Sequence, residues 1–113
     1  MKSVRSSESA ASEVRTHPSF DAELRKFAKR NPVDAERLLK GMRRFVDAGV
    51  GDIERIRDTQ ILQRLKVSRE LPRVYLARKG GITYLLGIEK RKIAYASWIL
   101  EKMEKRVKES GQT

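Results

Sequence analysis

The sequence predicts an α+β fold: a helical hairpin packed on a small, mostly antiparallel sheet of three to four strands, followed by a C-terminal helix. Three observations carry this expectation. The apolar period changes from helical to alternating near Ile61. An Asn31-Pro32 break splits the helical part into two stripes, because a residue before proline is pushed out of the α region. Two strand-like runs are separated by Lys79-Gly80-Gly81, whose glycines supply the positive φ that tight hairpins need.

The elements follow in chain order. Residues 1–13 are rich in Ser, Ala and Glu with few apolar anchors and read as a disordered leader, and residues 14–110 as one domain. Val14 to His17 is expected as a short edge strand. Ser19 is the expected N-cap of a helix carrying Phe20, Leu24, Phe27 and Ala28. Pro32 suits the first turn of a second helix, whose stripe is Ala35, Leu38, Leu39, Met42, Phe45 and Val46 and which stops at Gly49 and Gly51. In Leu62 to Val67, Leu65 and Val67 share one face and Arg64 and Lys66 the other. In Arg73 to Arg78, Val74 and Leu76 oppose Arg73 and Tyr75. The run Ile82–Ile88 is apolar on both faces, as a central strand is. Tyr84 and Leu86 are therefore core candidates that fit either face. The last helix is expected over about Ala94 to Lys108, with Ile93, Ala96, Leu100, Met103 and Val107 inward.

Composition narrows the function. The 113 residues hold 26 Lys and Arg against 15 Asp and Glu, a net charge of +11. Residues 52–95 alone carry eleven of the cations against five acids, which points to a functional basic patch and a polyanionic partner. Cysteine is absent, which excludes disulfide scaffolds, thiolate zinc sites and cysteine nucleophiles. One histidine, His17, leaves little for a metal cage or a histidine-dependent triad, so no metal and no cofactor are expected. No apolar run suits a membrane span or a secretory signal, so the expected location is cytoplasmic.

The polar strand faces carry the chemistry. Arg64 and Lys66 share a face, Arg73 and Tyr75 share the next, and Arg91 follows the third strand with Tyr95 just beyond. Convergent cations with a tyrosine hold phosphates and stack a base. The stretches Gln63-Arg64-Leu65-Lys66-Val67, Arg73-Val74-Tyr75-Leu76 and Ile88-Glu89-Lys90-Arg91-Lys92-Ile93-Ala94-Tyr95, in this order after two helices, resemble the RelE/ParE toxin superfamily of bacterial toxin–antitoxin systems. The resemblance covers about residues 14–98.

That resemblance implies one of two activities. RelE-like members are ribosome-dependent endoribonucleases that cut mRNA without a metal. ParE-like members share the fold and inhibit DNA gyrase by binding. Both pair with a small antitoxin. Carried over by position, Arg64 and Lys66 match the basic residues of the second strand, Arg73 the arginine of the third, and Arg91 and Tyr95 the closing pair. Attack by a 2′-hydroxyl needs a base, charge stabilisation at phosphorus and help for the leaving 5′-oxygen. Arg73 is assigned to the phosphate, Arg91 to the leaving group, and Lys66 or Tyr95 to the base. Arg64, Lys90 and Lys92 are assigned to RNA binding. The expected function is a toxin nuclease whose partners are an antitoxin, mRNA and the ribosome. The alternatives are a gyrase-type binder and a basic nucleic-acid-binding domain. His17 is not expected to act catalytically, and Trp98 is expected to pack in the core or at an edge.

Overall fold

The computed structural model describes residues 13–56, 62–90, 92 and 96–110. Nearly all of the expected leader, together with Arg91, Ile93 and Tyr95, lies outside the described residues. The elements are β1 (Glu13–Thr16), α1 (Pro18–Arg30), α2 (Pro32–Ala48), β2 (Asp52–Arg55), β3 (Leu62–Lys66), β4 (Arg73–Lys79), β5 (Ile82–Glu89) and α3 (Ser97–Ser110). The fold class is α+β, as expected, but the sheet has five strands in the order β1-β5-β4-β3-β2. β1 runs parallel to β5, and the other pairs are antiparallel. The strand not foreseen is β2. Its four residues hold one apolar side chain, Ile53, among Asp52, Glu54 and Arg55, so no alternation is legible. Such charges suit an edge strand, where they discourage further pairing.

Local chemistry explains the boundaries. α1 starts at Pro18 rather than after Ser19, because His17 is the cap: its Nδ1 accepts from the Ser19 N–H at 3.0 Å. Asn31 closes α1 through its own N–H to the Phe27 carbonyl, and Pro32 opens α2. Gly49 ends α2 at φ 71°, a left-handed C-cap. Gly80 and Gly81, at φ 59° and 78°, form the two-residue β4–β5 turn.

The sheet is covered on both faces. On one, Leu65, Val74, Leu76, Leu85 and Ile88 pack against Phe20, Leu38, Met42 and Phe45 of α1 and α2. On the other, Leu62, Tyr75, Ala77, Tyr84 and Leu86 pack against Ile99 and Met103 of α3. Tyr84 and Leu86 thus belong to the second face, while Leu65, Val74 and Leu76 belong to the first with half-buried Val67 beside them. Ile99 is fully buried and was not on the expected α3 stripe; the helix begins at Ser97, later than expected. No described helix is long and apolar enough to cross a membrane.

A β-bulge in β5 reconciles the two faces. Tyr75 pairs with Gly87 and Leu76 with Leu85, so Leu86 is the extra residue and Leu86 and Gly87 face α3 together. A Cβ at Gly87 would strike the Arg106 guanidinium and sit 2.6 Å from Met103 Cε. Gly87→Ala is therefore expected to displace the ends of the Arg106 and Met103 side chains, breaking the Arg106 bond to the Leu86 carbonyl, and to cost about 1–3 kcal/mol, the scale of one buried group left unpaired. Leu76→Ala, at a fully buried position, is expected to cost about 2–5 kcal/mol. Urea denaturation of both variants checks these values, and a loss below about 0.5 kcal/mol at Leu76 would remove it from the core.

Candidate functional site

The register assembles two rows of side chains across the α3 side of the sheet. The first runs Glu54, Arg64, Tyr75 and Gly87, each the cross-strand partner of the next. Arg64 Nη2 donates to Glu54 Oε1 at 2.7 Å and Nη1 to the Tyr75 hydroxyl at 3.2 Å. Burial alone would lower the Arg64 pKa, but the bonds to Glu54 and Tyr75 outweigh it and hold the guanidinium above the ordinary arginine value. Arg64 is 5% exposed and Tyr75 fully buried, so both are used to seal the interior.

The second row runs Asp52, Lys66, Arg73 and Glu89. Lys66 is exposed, with its Nζ 3.8 Å from Asp52. Glu89 is held by Lys102 of α3 at 2.5 Å. Between them Lys66 and Arg73 sit directly opposite each other, a like-charge pairing that costs stability in a sheet. Arg73 is 6% exposed and forms no ion pair among the described residues. Its Nη1 donates to the carbonyls of Leu71 and Ser68 at 2.8 and 3.2 Å, pinning the β3–β4 loop. Its Nε is buried with no partner among the described residues. Arg73 is thus a buried cation flanked by Lys66 on one strand and Glu89 on the other, hydrogen-bonded to neutral carbonyls and in no ion pair among the described residues.

The predicted residues therefore divide. Lys66 and Arg73 come together at the open end of the sheet, and Arg64 lies one step inside, engaged with Glu54 and Tyr75. Lys90 and Lys92 are exposed at the exit of β5, beyond Glu89. Arg91 and Tyr95 lie outside the described residues. Trp98 departs from expectation: it is 56% exposed, and Lys102 Nζ lies 5.4 Å from its ring centroid. Among the described residues no group of three His, Cys, Asp or Glu is placed to hold a metal.

Sequence reasoning missed Glu23, Glu89, Lys102 and Arg106. Glu23 and Arg106 meet at 3.0 Å across 83 positions of chain, and no local pattern announces such a pair.

No family model matches the chain, and no curated protein does. Among solved structures it is similar to the YoeB dimer from Staphylococcus aureus, at a TM-score of 0.58 and 8% identity, over 70% of this chain and 95% of that one. The likeness is one of fold.

Two outcomes follow from these contacts. Arg73→Ala leaves the Leu71 and Ser68 carbonyls without their donor and is expected to destabilise by about 1–3 kcal/mol in urea denaturation. In the middle of the same loop, the hydrogen bond from Arg37 at 2.9 Å holds the Glu70 carboxyl below the ordinary glutamate range. A depressed folded-state pKa stabilises above the unfolded value and is lost as pH falls through the folded one. Carbon NMR titration should show Glu70 titrating low in the wild type and higher, nearer the ordinary value, in Arg37→Ala, where only the backbone and Ser68 hydrogen bonds still lower it.

Proposed function

We propose that the chain is the toxin of a toxin–antitoxin pair and that it cuts RNA without a metal. The observation that carries this reading is the Lys66–Arg73 pairing: two opposed cations, one exposed and one buried and in no ion pair among the described residues. The fold shared with YoeB supports the toxin role, and the RelE/ParE resemblance of the strand residues supports the same role independently.

In this reading the phosphate of the scissile bond lies against Arg73 and Lys66. Lys66 or Tyr95 serves as the base for the 2′-hydroxyl proton, the 2′-oxygen attacks phosphorus, and the bond to the 5′-oxygen breaks with Arg91 stabilising its charge until water protonates it. The products are a 2′,3′-cyclic phosphate and a free 5′-hydroxyl. Lys90, Lys92 and the wider +11 surface hold the rest of the strand and its ribosomal surroundings. An acidic antitoxin would neutralise this surface, with affinity that falls as salt rises. A second reading, a toxin that acts by binding gyrase, is favoured by one feature: Arg64 and Tyr75 are sealed beneath α3.

Lys66 is the residue for the test, since it is exposed and its loss leaves the interior intact. Induced expression of wild type is expected to arrest growth and to produce discrete mRNA ends in primer extension. Lys66→Ala should lower the cleavage rate about 10²–10³-fold, the scale of losing one preorganised group, with unchanged thermal stability. Equal arrest by both proteins without new mRNA ends would select the gyrase-type reading.

A further inference from the structure

On the hairpin side of the sheet, a cleft of about 680 Å³ opens between α1, the β3–β4 loop and the exit of β5. Its size falls in the range that encloses a small ligand. α1 presents Glu23, Lys26, Phe27 and Arg30 to it, positions that share one helical face. The floor is apolar: half-buried Phe27 and Pro72 with buried Ile88. Lys26 and Arg30 line one wall, and Lys90 and Lys92 line another.

The charges in the cleft are unequal in a way that residue counts conceal. Four carboxylates also line it, and each is already engaged by a cation from outside. Glu23 is bound by Arg106, Glu89 by Lys102, and Asp34 and Glu70 by Arg37. The four lining cations form no ion pair among the described residues. The available charge is therefore positive, set above a floor that includes an aromatic ring.

We propose that this cleft binds a nucleotide, with the base against Phe27 and Pro72 and the phosphates between Lys26, Arg30, Lys90 and Lys92. An aromatic group on the floor and charge-assisted hydrogen bonds at the rim account together for both kinds of lining. A free nucleotide and a nucleotide within single-stranded RNA offer the same chemistry. The inference rests on the toxin reading only where it shares Lys90 and Lys92 with the strand-binding surface; the α1 wall and the apolar floor are additional to that reading, and binding there needs no cleavage.

Calorimetric titration of the purified chain with ADP, pyrophosphate, a uridine hexanucleotide and an oligoglutamate peptide tests it. ADP or the hexanucleotide is expected to bind saturably, more tightly than pyrophosphate, and more weakly as salt rises. Lys26→Ala/Arg30→Ala removes two exposed cations from α1 and should weaken that binding about tenfold or more, with an unchanged melting temperature. Phe27→Leu should weaken ADP and leave pyrophosphate unaffected. ADP binding without hexanucleotide binding identifies a free nucleotide, and the reverse order identifies a strand. Lys66→Ala should retain the binding, which separates failure here from failure of the nuclease reading. Binding that ignores the double variant, binding of oligoglutamate alone, or no binding at all would overturn the proposal.

Discussion

The two-layered core depends on one ion pair, Glu23 with Arg106. β1 pairs only with Ile82–Leu85, so the remainder of β5 would present an open edge. Glu23 accepts the Ile88 N–H at 2.8 Å, and Arg106 donates to the Leu86 carbonyl at 3.0 Å. The two side chains then bind each other, Nη2 to Oε2, at 3.0 Å. An open strand edge invites pairing with another chain, and here side chains cap it instead. The same contact joins α1 on one face of the sheet to α3 on the other. It works only because Gly87 leaves room, since any Cβ there would collide with Arg106.

That arrangement shapes what the surface can do. Fixing α3 over Tyr75, Tyr84 and Leu86 buries most of the polar face that the strand pattern suggests for chemistry. Only its end, with Lys66, Arg73 and Glu89, stays near solvent. Several carboxylates tie elements together: Glu23 spans α1 to α3, Glu54 spans β2 to β3, and Glu89 spans β5 to α3. Each of these pairs also occupies one cation, so the excess of 26 cations over 15 acids is left as unpaired positive charge.

Much of this was legible in the residues themselves. Two apolar stripes split by Asn31-Pro32, alternation in β3 and β4, and paired glycines before β5 determined the helices, the antiparallel core and its turn. Each rests on local geometry, a period of 3.6 or 2 or a φ that only certain residues adopt. They also set Lys66 and Arg73 on polar faces of neighbouring strands. Tertiary structure decided what no local rule reaches. It chose which face of β5 takes Tyr84 and Leu86, through a bulge that depends on Arg106 and Met103 filling the space above Gly87. It recruited β2, whose four residues become a strand only because β3 supplies partners. It also turned Arg64 inward and left Arg73 in no ion pair among the described residues. The physical reason is that burial and charge compensation are properties of neighbours in space, and those neighbours lie up to 92 positions away along the chain.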